Sequence, residues 1–175
     1  MKITSQWKQA DIELPGYDYD AMVAKTYENP TWVHFGAGNI FRGFIAILQQ
    51  KLLNMNKIDT GIVAVETYDS EIIDRVYAPY DNLSLLAIMN ADGSLENKVV
   101  ASIGEALVGD VSRKSDWDRL KEIFKKPSLQ MVSFTITEKG YSLTNMAGEF
   151  FSEVLEDIEN GPEQPKNVIA KVTSL

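Results

Sequence analysis

Apolar and polar positions change period several times along this 175-residue chain, and each change marks an element. Residues 31–35 (TWVHF) are short, apolar and β-prone, with Gly36 directly after them, and predict a buried strand. Over 39–54, Phe41, Phe44, Ile45, Leu48 and Leu52 recur at helical spacing, which predicts a helix with those side chains on one face. Residues 61–66 (GIVAVE) are apolar up to the closing Glu66, the pattern of a parallel strand covered on both faces. A short helix is expected over 70–77. Residues 83–90 and 98–103 read as two strands around Asp92-Gly93, a hairpin signal. Residues 115–126 predict a helix with Ser115 as its N-cap, Asp116 and Asp118 at the positive end, and Lys125 and Lys126 at the negative end. Trp117, Leu120 and Phe124 form its apolar stripe, and Pro127 stops it. A further buried strand is read at 129–136 (LQMVSFTI). A helix at 149–159 follows, with Phe151, Val154, Leu155 and Ile158 inward and Gly161 as its close.

Strands alternating with helices point to an α/β fold: an open, mostly parallel sheet with helices on both faces and an inserted β-hairpin. Residues 1–30 read as a lead-in arm, with a turn at Pro15-Gly16, a short helix over 19–28, and Trp7 and Tyr17 as packing anchors. Residues 31–175 form the domain proper. At 166–175, Val168, Ile169, Val172 and Leu175 stand at helical spacing with no stop signal behind them. The chain is therefore expected to be a truncated part of a longer protein; a terminal helix that simply frays is the alternative.

Composition narrows the chemistry. The chain is 45% hydrophobic and 24% charged, an ordinary globular balance. With no Cys there are no disulfides, thiolate metal sites or Cys nucleophiles, and the single His, His34, rules out multi-His metal sites. No metal is expected. Lys and Arg number 17 against 25 Asp and Glu, a net charge of −8, so neither nucleic acid nor an anionic membrane is an expected partner. No run of about 20 apolar residues is present, and the first residues lack the apolar segment of a secretion signal, so a cytoplasmic protein is expected.

The sharpest signal is the turn Gly36-Ala37-Gly38-Asn39-Ile40-Phe41-Arg42-Gly43 between the first strand and its helix. Dinucleotide folds bind pyrophosphate at such a turn. Gly36 would allow the tight bend, Gly38 the close approach of backbone to phosphate, and the helix opening at Asn39 would supply amides and a favourable dipole. Phe41 stands where the fingerprint has its third Gly or Ala, so the match is partial; a turn that needs glycine for geometry alone is the alternative. A P-loop is excluded, since no Gly-Lys-Ser/Thr follows. Arg42 reads as a phosphate clamp or as an ordinary surface residue. Glu66 is placed to accept hydrogen bonds from ribose hydroxyls and to repel a 2′-phosphate, favouring NAD over NADP; otherwise it is a solvated strand-end carboxylate. Thr137, Glu138 and Lys139 leave the later strand at its carboxyl end, beside a cofactor crevice or simply in a polar turn. His34, lone and in a strand, reads as a hydrogen-bonded core residue rather than a catalyst.

His34-Phe35-Gly36-Ala37-Gly38-Asn39 with Phe41-Arg42 resembles the opening motif of the mannitol dehydrogenase family of polyol and hexuronate dehydrogenases, which includes mannitol 2-dehydrogenase, fructuronate reductase and tagaturonate reductase. Residues 135–141 (TITEKGY) resemble a second family motif, and 99–104 (VVASIG) the stretch between them. Ile40-Phe41-Arg42-Gly43 departs from the Phe-His-Arg-Ala type sequence of many members. The resemblance implies a Rossmann-like, NAD-binding N-terminal domain and a largely helical C-terminal domain that carries a lysine general base with Asn and His partners. It also implies hydride transfer between NAD(H) and a polyol or ketose-type sugar acid. Gly36, Ala37, Gly38, Asn39, Phe41 and Arg42 then match the cofactor turn, Glu66 the ribose position, and Thr137, Glu138 and Lys139 the second motif. The catalytic residues would lie in the other domain, so these residues alone are expected to be inactive. Two rivals are a methyltransferase, which would take S-adenosylmethionine and leave 135–141 unexplained, and a non-catalytic nucleotide-binding interaction domain.

Overall fold

A computed structural model describes Trp7 and residues 10–175, the side chains of Glu138 and Lys139 excepted. The start of the lead-in arm, Trp7 apart, lies outside the described residues. In chain order the elements are β1 (Ile12–Glu13), α1 (Tyr19–Glu28), β2 (Trp32–Phe35), α2 and β3 (Ile62–Glu66). The helix α2 starts at residues 39–40, passes through a π-helical turn, Phe41–Ile45, and continues as Ala46–Asn54. A second π-helical turn, Ile73–Tyr77, precedes β4 (Ser84–Met89), β5 (Leu95–Val100), β6 (Ile103–Val108) and α3 (Lys114–Phe124). After these come β7 (Met131–Phe134), α4 (Glu138–Tyr141), α5 (Ser152–Asn160) and α6 (Val168–Ser174).

The main sheet is four-stranded and parallel, in the order β6-β3-β2-β7. From β2 the chain steps outward to β3 and β6, then returns across the sheet to β7 on the other side of β2. The strand order thus reverses beside β2, and in open α/β sheets that is where the ligand crevice opens. Period-two alternation sorts the strands' side chains between two cores. Ile62 and Ala64 pack with Ala37, Phe41 and Ala46 under α2, while Val33, Phe35, Val63 and Val65 pack with Trp117, Leu120 and Ile123 of α3. Val168, Val172 and Leu175 of the last helix join the second core. Helices therefore cover both faces, and β4 and β5 form the expected hairpin, with Gly93 in the left-handed region (φ 85°) at its tip.

The hairpin lies in a separate three-stranded sheet with β1. Leu83, Val99 and Ala101 form a small buried cluster at this sheet, and Trp7 and Tyr19 pack against it. At the other end of the arm, Thr26 of α1 accepts from the Gly61 amide at 2.7 Å and donates to the Met22 carbonyl at 2.7 Å, which fixes α1 at the foot of β3.

Several local expectations are corrected. The segment read as one strand over 98–103 is two: β5 ends at Val100, Ala101 and Ser102 turn the chain, and β6 enters the main sheet beside β3. Ser115 is not the cap of α3, which begins one residue earlier after Arg113; the Ser115 hydroxyl donates to Asp116, and Asp116 accepts from the Val108 amide at 2.9 Å. On α5 only Val154 of the expected face is buried, while Leu155 and Ile158 are exposed. On α2, Phe44, Leu48 and Leu52 point outward; the buried side carries Phe41, Ala46, Gln49, Gln50 and Leu53. The glutamines explain this orientation. Gln50 donates to the Val99 carbonyl at 2.7 Å and accepts from the Ala101 amide at 2.7 Å, and Gln49 donates to the Thr60 carbonyl at 2.8 Å. Buried amides so satisfied lock one rotation of the helix against β5.

Candidate cofactor site

The glycine turn lies where β2 ends. Gly36 has φ 108°, and a Cβ there would stand 2.4 Å from the Thr135 carbonyl oxygen, so only glycine fits. Thr135 is the residue following β7, so the strands on both sides of the reversal are pressed together at this point. Gly38 differs: a Cβ there would meet nothing within 4 Å. The protein itself does not need a glycine at 38, and the space above it is open to a ligand. The helix starting at Asn39 aims its first amides, which have no intrahelical acceptor, at the same space.

A directional hydrogen-bond relay supports the turn from below. Trp32 Nε1 donates to Ser133 Oγ at 2.6 Å, and Ser133 Oγ lies 2.7 Å from His34 Nδ1. His34 Nε2 lies 2.9 Å from Thr135 Oγ1, which donates to the Gly36 carbonyl at 3.3 Å. Because the one hydroxyl proton of Thr135 goes to the Gly36 carbonyl, Thr135 Oγ1 accepts from Nε2, which carries the ring proton, and Nδ1 accepts from Ser133. Burial holds the imidazole pKa at about 4, below its ordinary 6.5, so the ring is neutral near pH 7. Its face stacks on Phe41, with centroids 4.4 Å apart and planes 9° from parallel. His34 is thus a core residue that braces the turn, and Phe41, also fully buried, touches it from below rather than facing the open side.

The carboxylate of Glu66 spans two loops. One oxygen accepts from the Ala37 amide at 3.0 Å; the other accepts from the amides of Thr67 and Tyr68, each at 3.0 Å, and of Asp69 at 3.4 Å. It therefore sits beside the glycine turn, at the end of the neighbouring strand. Beyond it opens a cavity of about 300 Å³ lined by Thr67, Tyr68, Ser70, Val108, Asp110, Ser112 and Arg113, with the Tyr68 ring fully exposed above it.

Residues that the sequence did not flag build this cavity. Arg113 holds Asp74 through two hydrogen bonds of 3.1 and 2.7 Å. The buried Lys171 ammonium donates to Asp110 at 3.1 Å and to the Thr67 carbonyl at 3.3 Å, tying the last helix to the loops after β3 and β6. Burial alone would raise the Asp110 pKa, but the Ser112 hydroxyl and amide and the Lys171 ammonium outweigh it and hold the carboxyl below the ordinary range. Tyr77 donates to the Ala37 carbonyl at 2.8 Å; its phenol is raised by burial and stays protonated. No local sequence pattern announces the Arg113–Asp74, Lys171 and Tyr77 contacts, because each joins elements far apart in the chain.

The other expected residues fall as follows. Asn39 accepts from the Arg42 guanidinium, which lies 5.7 Å from the centre of the Tyr77 ring, at the edge of a second cleft of about 560 Å³ between α2 and the hairpin. Thr137 is exposed and its carbonyl accepts from the Gly140 amide at 2.8 Å, opening α4; the backbone of Glu138 and Lys139 follows in that helix, and their side chains lie outside the described residues. Among the described residues no group of three or more His, Asp or Glu could hold a metal, and no helix is long and apolar enough to cross a membrane.

Comparison with known proteins places this architecture. Residues 30–171 match the family of the mannitol dehydrogenase Rossmann domain. D-mannonate oxidoreductase of Thermotoga maritima is 49% identical over 175 residues, which are 100% of this chain and 32% of that protein. Polyol:NADP oxidoreductase of Gluconobacter oxydans is 28% identical over 93% of this chain and 32% of its own length. Among solved structures, substrate-free D-sorbitol dehydrogenase superposes with a TM-score of 0.78 at 27% identity, over 99% of this chain and 35% of that one. Mannitol 2-dehydrogenase of Pseudomonas fluorescens, in a ternary complex with NAD and D-mannitol, gives 0.76 at 25% identity, over the same shares. The chain spans about a third of the length of these relatives. It belongs to the mannitol dehydrogenase family, and residues 30–171 are its Rossmann domain.

Proposed function

We propose that this chain is the NAD(H)-binding part of an oxidoreductase that moves a hydride between NAD and a polyol or ketose-type sugar acid of the mannitol or mannonate kind. The observation that carries the reading is the joint placement of the open Gly38 and the Glu66 carboxylate at the strand-order reversal. A diphosphate fits over Gly36, Ala37, Gly38 and the amides from Asn39 onward, with Arg42 at the edge and Phe41 as the prop beneath. Glu66, already on the Ala37 amide, has lone pairs left for ribose hydroxyls, and its charge opposes a 2′-phosphate. The cavity by Tyr68 is then the seat of the adenine ring. Thr137, Glu138 and Lys139, at the carboxyl end of the sheet's other half, are assigned to the nicotinamide end.

When bound, the nicotinamide supplies the hydride acceptor; the residues of this chain bind and orient, and His34 remains neutral and buried. The general base for the alcohol proton is assigned to the part of the protein that the longer relatives carry and residues 1–175 do not include, so these residues alone turn over no substrate. The domain proper is taken as 31–175, with 1–30 as its arm, and the protein is read as cytoplasmic.

Calorimetric titration of the full-length protein with NAD⁺, NADP⁺ and S-adenosylmethionine tests this reading. NAD⁺ bound at least about tenfold more tightly than NADP⁺ is the expected result, a difference of ~1.4 kcal/mol. Equal affinity for NADP⁺ overturns the role of Glu66, and binding of S-adenosylmethionine in place of NAD⁺ overturns the reading as a whole.

A further inference from the structure

The helix α2 has no solvent-type face. Over residues 39–54 the charged side chains are Arg42 and Lys51 alone, in a chain that is 24% charged. Its outward side carries Ile40, Phe44, Leu48, Leu52 and Met55, which are 72, 64, 46, 42 and 62% exposed. The first four recur every four residues, so they form a continuous ridge over most of the helix, the kind of ridge that fits between the ridges of another helix. A surface helix of a soluble domain ordinarily presents charged and polar groups on that side, and a helix apolar all round is buried on both. The inward side is already satisfied by the sheet and by the Gln49 and Gln50 hydrogen bonds, so no rotation of α2 could hide the ridge.

We infer that this ridge is covered, in the intact protein, by a helix from the two thirds of the polypeptide that the relatives carry and residues 1–175 lack. The length of the relatives argues for this occupant: the whole chain matches only 32% of D-mannonate oxidoreductase and 35% of D-sorbitol dehydrogenase. A second copy fits poorly. It would bring a net charge of −8 to meet the same charge, and over 39–54 it has no carboxylate to meet Lys51. The helix that covers the ridge is expected to be apolar along its line of contact, with an Asp or Glu within reach of Lys51. This inference rests on family membership and on the relatives' length, and is independent of the cofactor assignment.

The test uses thiol accessibility in the full-length protein, and residues 1–175 add no cysteine of their own. Leu48→Cys, and separately Phe44→Cys in case the first variant folds poorly, is treated with a maleimide, and modification of the α2 peptide is followed by mass spectrometry. Asp20→Cys, on the exposed side of α1, is the reference. The expected result is protection of position 48 by about 100-fold or more relative to position 20, unchanged on dilution. Equal rates overturn the inference. Protection that disappears on dilution, together with a monomer–dimer equilibrium seen by light scattering, also overturns it and makes a second copy the occupant. NAD⁺ titration of the same variants reports separately on the cofactor reading.

Discussion

The Glu66 carboxylate accepts a hydrogen bond from the Ala37 amide at 3.0 Å, so the acid closing β3 and the glycine turn closing β2 form one unit. Because its second oxygen gathers the amides of the following loop, the carboxylate fixes that loop and the turn relative to each other before any ligand arrives. Such preorganisation lowers the ordering cost of binding.

Replacing Glu66 by Gln tests this unit. The amide keeps one acceptor oxygen but loses the charge and one half of the bridge. NAD⁺ affinity is expected to fall by about tenfold, ~1.4 kcal/mol, while NADP⁺ affinity falls less or rises. Paired titrations of the two cofactors check the outcome; an unchanged NAD⁺ to NADP⁺ ratio contradicts the proposed contact with ribose.

The two glycines of the turn should separate stability from binding. Gly36→Ala puts a methyl group 2.4 Å from the Thr135 carbonyl oxygen at a positive φ, so a loss of about 3 kcal/mol of stability is expected. Gly38→Ala meets no protein atom within 4 Å and should cost less than ~1 kcal/mol, yet weaken NAD⁺ binding by filling the space left for phosphate. Thermal melts and titrations of both variants decide this. If Gly38→Ala binds NAD⁺ normally, the diphosphate is not seated there.

Some of this organisation was legible in the residues and some was not, for physical reasons. Apolar runs such as 62–65, followed by Glu66, announce a covered parallel strand, and the glycines after 31–35 announce the turn. Periodicity cannot choose the buried side of α2, because apolar residues ring that helix; hydrogen bonds of Gln49 and Gln50 to distant backbone choose it. The missed strand β6 carries Gly104 and Glu105, which look like a break. Glu105 is tolerated because Arg119 pairs with it through bonds of 2.8 and 3.0 Å. The Glu66–Ala37 contact, and Lys171 on Asp110 and Thr67, join residues far apart in the chain that no local pattern connects.

Arg119 makes its own prediction. Besides Glu105 it donates to the Tyr27 carbonyl at 2.7 Å, and its guanidinium stands 3.9 Å from the centre of the Tyr27 ring. It therefore bolts α1, β6 and α3 together. Lysine cannot reproduce the two-pronged bond or the planar stacking, so Arg119→Lys should lose ~2 kcal/mol of stability despite keeping the charge. Urea denaturation measures it, and a loss below ~0.5 kcal/mol makes the cluster dispensable.

The His34 relay predicts a dependence on acid. The folded ring has a pKa of about 4 and the unfolded ring the ordinary 6.5, so between these values the unfolded chain binds more protons. Stability due to this residue is therefore complete above about pH 6.5 and is lost as the pH falls towards 4. A shift of that size corresponds to about 3 kcal/mol at the acid end. Protonation also has a local cost: Nδ1 gains a proton where Ser133 already directs its own, so the chain of donors from Trp32 to Gly36 is broken at its centre. His34→Gln keeps polar atoms in the site but cannot titrate. Its stability at pH 7 should be lower than that of the native chain, through lost stacking on Phe41, while its further decline from pH 6.5 to 4.5 should be shallower. Urea midpoints measured across that window for both proteins give the comparison. Parallel declines would mean that other groups carry the acid sensitivity, and that the buried ring is not what holds the glycine turn in place at neutral pH.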